Sequence, residues 1–148
     1  MQTITLRPAI MDDAGTLVDI MATALGEKQR ERPVLAMQAR LERPHSWSQL
    51  ACTDNQILGF VIGHTQIDEA IADLDLLMIL PQHAGHGIGS TLLDWVAKKH
   101  RSGGRKYIEL WVNGKNDRAR RLYERHDYKV VRRNKTRGSY ELCYRLTL

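Results

Sequence analysis

A glycine-rich turn lies just past the middle of the sequence, in residues 81–90, and separates two kinds of pattern. An almost unbroken apolar run, residues 74–80, precedes it, and a helical pattern begins near Thr91. A strand that enters a helix through such a turn has free backbone N–H groups that point the same way, and the helix dipole favours negative charge there. Glycines at alternate positions remove the β-carbons that would keep a phosphate from the backbone. The segment therefore predicts a phosphate-binding turn.

Length and composition predict one globular domain, residues 1–148. A chain of 148 residues is long enough to bury a core without disulfides or metal ions. No apolar stretch approaches the roughly 18 residues that a membrane helix needs, and the first residues, with Arg7, Asp12 and Asp13, do not resemble a signal peptide. We therefore expect a cytoplasmic protein without a membrane partner. Cys52 and Cys143 lack metal-ligand spacing, so we expect reduced thiols and no bound metal.

The net charge of +5 conceals an uneven distribution. Residues 1–97 contain 6 Lys and Arg against 12 Asp and Glu, whereas residues 98–137 contain 15 against 4. Such a basic block is typical of a nucleic-acid footprint, of a solvated surface, or of a field that attracts a polyanionic cofactor. Charge alone does not choose among the three.

Periodicity and turn residues predict an α/β (α+β) fold, in which a mixed, mostly antiparallel sheet is flanked by helices. The predicted order is β-α-α-β-β-β-α-β-α-β-β, with one β-α-β crossover among antiparallel hairpins. Asp12 or Asp13 caps the first helix, Gly26 ends it, and Asn116 starts the last helix. The predicted strands are residues 3–7, 49–53, 57–66, 70–80, 107–112, 128–131 and 140–146, and the later helices are residues 33–41, 89–101 and 116–125.

Two familiar phosphate-binding motifs fit this turn poorly. A P-loop needs a lysine before its Ser or Thr, and here Ser90 and Thr91 follow Gly89 directly. A dinucleotide-binding turn comes near the start of its fold with further β-α units behind it, whereas only about 58 residues follow this turn.

Two sequence blocks resemble the GCN5-related N-acetyltransferases, the GNAT family. The first, residues 82–90, is similar to the acetyl-CoA pyrophosphate loop of that family. The second is similar to its strand-to-helix segment at every position, and the predicted element order also matches, so the resemblance covers essentially the whole chain. The second block reads Leu110-x-Val112-x-x-x-Asn116-x-x-Ala119-x-x-Leu122-Tyr123.

Three positions depart from the family pattern. Ala84 replaces the usual Gln or Arg, and we expect some loss of affinity rather than a loss of function, because the backbone N–H groups provide most of the phosphate contact. Asp127-Tyr128 replaces Gly-Phe, and aspartate tolerates the left-handed conformation of such a turn. Trp111 stands where some relatives that acetylate protein N-termini have a glutamate base, which leaves the base and the substrate undetermined.

The resemblance implies an acetyl-CoA-dependent N-acetyltransferase in which an amine attacks the thioester directly in a ternary complex. It implies that the backbone of the fourth strand pairs with the pantetheine arm and that Tyr123 is the general acid toward the CoA thiolate. Asn116 is implied as a cofactor contact as well as a helix cap. The implied cofactor-binding residues are Leu77, Met78, Ile79, Gly85, His86, Gly87, Ile88, Gly89, Ser90, Asn116 and Tyr123.

The general base has three candidates. Asp73 lies on the fourth strand where relatives often have Glu, and Asp75 is two residues on, nominally on the same face. Either is placed to deprotonate an ammonium group directly or through water. The alternative is that these carboxylates have no catalytic role and are exposed to solvent or paired with an arginine. His64 on the third strand is a further candidate, with a structural role in the sheet as its alternative.

Several side chains outside these motifs have two open interpretations. His83 and His86 either assist phosphate binding by partial protonation or face solvent. A basic helix face either meets the CoA 3′-phosphate or is solvated, and three aromatic residues either line an acceptor pocket or pack in the core. The basic helix face consists of Arg118, Arg120, Arg121 and Arg125, and the three aromatic residues are Trp47, Trp111 and Tyr140. A further group of cations is expected in a hairpin loop near the acceptor opening, namely Arg132, Arg133, Lys135 and Arg137.

The expected partner is a primary amine of a small molecule or a peptide, and the expected oligomeric state is a monomer or homodimer. Two alternatives come from other functional classes: a non-catalytic acyl-CoA-binding regulatory domain, and a basic nucleic-acid-binding module. The implied general acid Tyr123 argues against a non-catalytic domain. The second lacks a recognition-helix motif and aromatic residues interleaved with the basic block, so nucleic acid is not an expected partner.

Overall fold

The structure is a computed structural model, which describes residues 3–25, 34–65 and 70–148. Its helices are α1 (Ala14–Leu25), α2 (Val34–Glu42), α3 (Ile88–Ser102) and α4 (Asp117–Arg125), and short 3-10 turns cover Met11–Asp13 and Pro81–His83. Its strands are β1 (Thr5–Arg7), β2 (Ser46–Cys52), β3 (Ile57–Thr65), β4 (Ile71–Ile79), β5 (Tyr107–Asn113), β6 (Lys129–Thr136) and β7 (Ser139–Thr147).

The seven strands form one sheet in the order β1-β2-β3-β4-β5-β7-β6. Only β4 and β5 are parallel, and α3 is the crossover that joins them; every other pair of neighbours is antiparallel. The predicted fold class, element order and single parallel crossover are therefore confirmed.

The sheet separates two apolar clusters, and helices cover its two faces unequally. On one face, called the α3 face, side chains from α3 and α4 pack against β2, β3, β4, β5 and β7. On the other, called the α1 face, α1 and α2 pack against the strands from β2 to β4. Among the described residues, no side chain of β5, β6 or β7 joins the cluster on the α1 face. That half of the sheet therefore lies outside the apolar cluster of the α1 face.

Local hydrogen bonds explain where two helices begin. Asp13 accepts the backbone N–H of Ile10 at 2.8 Å and forms a bidentate pair with Arg7, so it holds the turn that leads into α1. Asn116 accepts the N–H of Ala119 at 3.2 Å, which makes it the N-cap of α4. Asp127, just after α4, has a φ of 68° and takes the left-handed conformation that its sequence position requires.

Two predicted boundaries were wrong. Strand β2 begins at Ser46, three residues earlier than predicted, and β6 extends to Thr136. Arg132, Arg133 and Lys135 therefore lie in a strand, and of the predicted loop cations only Arg137 is in the turn. Every residue of β6 is exposed, so this edge strand carries no alternation of apolar and polar residues that would reveal it. The predictions at Gly26, Pro33 and Gln66 lie outside the described residues.

None of the helices that the structure describes is long and apolar enough to cross a membrane.

His100 near the end of α3 makes the stability of the fold depend on pH. Burial against Trp47, reinforced by Lys99 and Arg105, lowers the pKa of His100 from 6.5 to about 4. Between these pH values the unfolded chain binds a proton that the folded chain does not, so the free energy of unfolding falls as the pH falls from 6.5 to 4. A single group with this shift lowers the free energy of unfolding by about 3 kcal/mol at pH 4.

We therefore predict that His100→Phe, which keeps an aromatic ring but cannot titrate, reduces the acid sensitivity of the fold. Denaturant unfolding at pH 7 and pH 4 measures it. The free energy of unfolding of the unmodified protein should fall by about 3 kcal/mol more than that of the variant. Equal losses in the two proteins would contradict the assignment.

Candidate functional site

Strands β4 and β5 separate after only three residues of pairing. Ile71, Ala72 and Asp73 pair with Tyr107, Ile108 and Glu109, and no later residues of the two strands pair. On its other edge β4 remains paired with β3 as far as Ile79. The edge of β4 that faces β5 therefore has backbone N–H and C=O groups without a strand partner, which is the arrangement that an extended ligand can satisfy.

A cavity of about 770 Å³ opens on the α3 face beside this unpaired edge. The second half of β4, the glycine-rich turn, the first turn of α3 and one side of α4 form its walls. The end of α1 closes it. The lining residues are Ala24, Leu25, Leu77, Met78, Ile79, Pro81, His83, Ala84, Gly85, Gly87, Ile88, Gly89, Ser90, Asn116, Arg118, Ala119, Arg121, Leu122, Tyr123 and Arg125.

The glycine-rich turn presents backbone N–H groups to the cavity. Gly85 and Gly87 have φ values of 80° and 81°, in the left-handed region that favours glycine. Gly87 is the N-cap of α3, and its carbonyl accepts the N–H of Thr91 at 3.0 Å. The N–H groups of Ile88, Gly89 and Ser90 therefore have no acceptor one turn earlier in the helix. Together with the helix dipole they form an anion site.

Helix α4 supplies positive charge to the same cavity. Gly89 allows α4 to approach α3 closely, since a β-carbon there would lie 3.0 Å from Leu122. Three of the four arginines on the predicted basic face line the cavity, namely Arg118, Arg121 and Arg125. Arg120 points elsewhere: it donates to the Tyr144 hydroxyl at 3.1 Å and to the Gly114 carbonyl at 3.0 Å.

Tyr123 is a buried side chain at the inner wall of the cavity. Its ring packs against Tyr128 and Tyr144, with centroids 5.8 and 6.1 Å away. Burial disfavours the charged tyrosinate and raises the pKa of Tyr123 to about 12. The hydroxyl is therefore protonated at neutral pH and is able to donate a proton.

A cluster of one histidine and two aspartates lies on the α1 face at the point where β4 leaves β5. His64 pairs in register with Asp73, and its Nδ1 and Nε2 atoms lie 2.7 Å from Asp75 and 3.4 Å from Asp73. A β-bulge produces this arrangement: pairing passes from Leu74 opposite Gly63 to Leu76 opposite Ile62, so Asp75 is the additional residue. The bulge brings both carboxylates to the same imidazole ring.

Glu109 forms a second polar cluster on this face, next to Asp73 in the sheet. It is buried, which opposes ionisation, but hydrogen bonds from Arg145 and Arg132 outweigh burial and hold the pKa of Glu109 below its usual value. Arg132 also lies over the ring of Trp111, which is 47% exposed. Two guanidinium groups thus share one carboxylate beside an exposed aromatic ring.

The structure brings the implied cofactor-binding residues together around one cavity, except for His86, which lies on the exposed turn outside the lining. Asp73, Asp75 and His64 are grouped on the opposite face of the sheet. Of the three aromatics considered for an acceptor pocket, Trp47 is buried in the core, whereas Trp111 is exposed. In the described part of the chain, no group of three or more His, Cys, Asp or Glu is arranged to hold a metal ion.

Two features escaped the sequence analysis. The arginine pair around Glu109 joins β5, β6 and β7, whose register could not be read from an exposed strand. A hydrogen bond of 2.8 Å between Ser90 and His126 joins residues 36 positions apart, and neither alternation nor a motif indicates it.

Comparison with known proteins gives a family match across most of the chain. The sequence model of the acetyltransferase (GNAT) family matches residues 16–128. The aminoalkylphosphonate N-acetyltransferase of Salmonella typhimurium is 33% identical over 95 residues, which cover 62% of this chain and 62% of that protein. The match therefore spans less than two thirds of that relative's length. An uncharacterized N-acetyltransferase of Archaeoglobus fulgidus is 32% identical over 104 residues, or 67% of this chain and 69% of that protein.

A solved structure has the same fold over the full length of the chain. The PaiA N-acetyltransferase from Thermoplasma acidophilum, in complex with coenzyme A, superposes with a TM-score of 0.81 over 99% of both chains. Its sequence identity to this chain is 19%, so the likeness is one of fold.

The left-handed conformation of the turn leads to a prediction about stability. Gly87→Ala should lower the free energy of unfolding by about 1 kcal/mol, because its β-carbon meets no atom but its φ is unfavourable for alanine. Gly15→Ala in α1 is the matched control: its β-carbon also lies in open space, φ is helical, and alanine should stabilise the helix by about 0.5 kcal/mol. Denaturant unfolding measures both. The same sign in the two variants would contradict the assigned conformation.

Proposed function

The chain belongs to the acetyltransferase (GNAT) family, and from that premise we propose that it transfers the acetyl group of acetyl-CoA to a primary amine by direct attack in a ternary complex. The proposal rests on one structural observation. A single cavity joins an anion site at a helix N-terminus, the unpaired edge of β4 and the protonated hydroxyl of Tyr123. These are the groups needed to hold a pyrophosphate, align a pantetheine arm and protonate a thiolate.

The pyrophosphate would lie at the start of α3. The N–H groups of Ile88, Gly89 and Ser90 would donate to its oxygens, while Arg118, Arg121 and Arg125 would neutralise its charge. Because most of these donors belong to the backbone, Ala84 in place of a longer polar side chain is compatible with binding.

The pantetheine arm would lie along the free edge of β4. Its amide groups would hydrogen-bond to the backbone of residues 77–79, as an added strand does. An N–H group on this edge would also donate to the thioester carbonyl and stabilise the oxyanion that develops as the amine attacks. In this proposal the side chains of Leu77 and Ile79 pack in the core, and their backbone carries the function.

Tyr123 would act as the general acid. The amine nitrogen forms a bond with the carbonyl carbon, the carbon–sulfur bond breaks, and the hydroxyl proton of Tyr123 passes to the leaving sulfur. Burial raises the pKa of Tyr123 to about 12 and so keeps the hydroxyl protonated until the thiolate forms, and it also disfavours a free thiolate in the same cavity. The attacking nitrogen loses its extra proton as the amide forms, and that proton or one from solvent restores the tyrosine hydroxyl.

Asp73 would act as the base on the opposite side of the sheet. It lies where β4 and β5 part, so an acceptor amine on the α1 face could reach through this gap toward a thioester held on the α3 face. His64 contacts both Asp73 and Asp75, and this chain of groups would pass the proton onward to solvent.

The acceptor is proposed to be a primary amine of a small molecule or a peptide. The two aspartates would attract its ammonium group. Arg132 and Arg145 both pair with Glu109, so two guanidinium groups face one carboxylate, and this excess of positive charge favours an acceptor that also carries an anionic group. The Salmonella relative is named for aminoalkylphosphonates, which have this combination, and the class belongs in an acceptor screen.

The direct test is the release of free CoA thiol from acetyl-CoA in the presence of candidate amines. The screen spans polyamines, aminoglycosides, amino acids, peptides and aminoalkylphosphonates. Amine-dependent thiol release supports the proposal, whereas binding of acetyl-CoA without release by any acceptor class favours the non-catalytic alternative. The cytoplasmic location, the single domain and the monomeric or homodimeric state remain predictions.

Tyr123→Phe should lower kcat by about 100-fold, as loss of a general acid does, while the Kd for acetyl-CoA changes less than about twofold. Tyr128→Phe is the matched control, because it removes a neighbouring buried hydroxyl that has no hydrogen-bond partner within the described part of the chain. Steady-state kinetics and calorimetry measure the two quantities. An unchanged kcat in Tyr123→Phe, or an equal loss in the control, would refute the acid role.

Asp73→Asn should lower kcat/KM by at least about tenfold at pH 7, where a primary amine with a pKa near 10 is protonated and needs a base. The deficit should shrink toward pH 10, because the free amine then needs no deprotonation. Asp54→Asn, in the β2–β3 turn, serves as the control. If the pH–rate profile of Asp73→Asn coincides with that of the control, the base lies elsewhere.

A further inference from the structure

His126 occupies a position from which it can control the polarity of the anion site without entering the cavity. Its Nε2 atom lies 2.8 Å from the Ser90 hydroxyl, and its Nδ1 atom lies 3.5 Å from a carboxylate oxygen of Asp94. Ser90 lines the cavity at the start of α3, whereas His126 follows the last turn of α4 and is 19% exposed. The hydrogen bond therefore connects the imidazole ring to a residue of the cavity wall.

The direction of the Ser90–His126 hydrogen bond determines whether the Ser90 hydroxyl can donate a hydrogen bond to a phosphate in the cavity. A serine hydroxyl has one hydrogen to donate. If Nε2 carries no proton, Ser90 donates that hydrogen to His126 and offers only lone pairs to the cavity. If Nε2 is protonated, His126 donates to the serine oxygen, and the serine hydrogen is free to bond to a phosphate oxygen. Only the second arrangement adds a donor to the anion site.

Asp94 influences whether a neutral or a charged imidazole ring of His126 can donate to Ser90 and leave the serine hydrogen free. Its carboxylate lies 3.5 Å from Nδ1, and a carboxylate favours the tautomer that carries the proton on the nitrogen facing it. A proton on Nε2 as well then requires the charged imidazolium. Asp94 is the charged side chain that α3 presents to the ring, and on the segment of His126 itself Arg125 and Asp127 are adjacent in sequence. The negative phosphate would be the remaining group that favours the imidazolium.

We propose that the cofactor binds with uptake of a proton at His126, so that affinity for the pyrophosphate falls as the pH rises above neutrality. This inference rests on the proposed binding of acetyl-CoA at the start of α3. His126 is a positioning residue, since it acts through Ser90 and does not line the cavity. The consequence is a cofactor site whose occupancy depends on pH independently of the catalytic acid and base.

Titration calorimetry with dephospho-CoA tests the proposal. This probe keeps the pyrophosphate but lacks the 3′-phosphate, whose own pKa of about 6 would otherwise contribute protons. Titrations at pH 7.5 in Hepes and in Tris, which differ in ionisation enthalpy, give the number of protons bound. We expect an uptake of about 0.7 proton per cofactor and a Kd that rises about tenfold between pH 7 and pH 8.5, because the change in log Kd equals the proton uptake summed over the pH range.

Four variants identify the source of the proton. His126→Gln should abolish the uptake and flatten the pH dependence of Kd, and Asp94→Asn, at an exposed position, should reduce the uptake while keeping the ring. His83→Gln and His86→Gln are the controls, because these histidines lie on the glycine-rich turn and are the nearest alternative proton acceptors in sequence. Both controls should retain the uptake of the unmodified protein.

The possible outcomes separate this inference from the proposed function. If His126→Gln binds dephospho-CoA with the same proton uptake and pH dependence as the unmodified protein, or if the uptake is lost in His83→Gln or His86→Gln instead, the inference is wrong and cofactor binding stands. If neither CoA nor dephospho-CoA binds to the unmodified protein, the inference and the proposed function both fail.

Discussion

The separation of β4 from β5 after Asp73 is the constraint on which the rest of the site depends. Strand pairing normally satisfies every backbone N–H and C=O of a central strand, yet here one edge of β4 is left unpaired in the middle of the sheet. The bulge at Asp75 provides a physical cause, because a bulge bends its strand and increases the local twist. The structure tolerates this loss because both faces of β4 remain packed between the two apolar clusters.

The same divergence separates two kinds of chemistry onto opposite faces of the sheet. On the α3 face, helix N-terminal N–H groups and arginines collect around a cavity and favour an anionic cofactor. On the α1 face, carboxylates gather around His64, and α1 and α2 leave the β5–β7 half without a packed helix among the described residues. In the proposed reaction, donor and acceptor would approach from opposite sides and meet in the gap. This division explains how one protein can be basic overall and yet attract an ammonium group.

The parts of the fold that depend on backbone conformation or burial could be predicted from the sequence. The Asn116 cap and the left-handed Asp127 each follow from local residue chemistry, and the structure has both. The extension of β6 from Val131 to Thr136 could not be predicted, because an entirely exposed edge strand has no hydrophobic period. The resemblance to a known family indicated most of the residues that line the cavity, whereas their contact with a cofactor and the roles of Tyr123 and Asp73 stay predictions.

Contacts between distant residues account for the rest of what the sequence did not reveal. The bulge at Asp75 lies within a nearly continuous apolar segment, where alternation cannot fix the face of a side chain, so the contact of His64 with both aspartates emerges only from the register of β3 and β4. The bonds of Glu109 to Arg132 and Arg145, and of Ser90 to His126, likewise require the assembled sheet and helices.

Residue-resolved amide hydrogen exchange, with and without coenzyme A, tests the central claim most directly. The amides of residues 74–79 that do not bond to β3 should exchange rapidly in the free protein, since they face the gap, and should become protected together with those of Ile88, Gly89 and Ser90 when coenzyme A binds. Protection confined to another surface, or slow exchange along this edge of β4 before coenzyme A is added, would contradict the account.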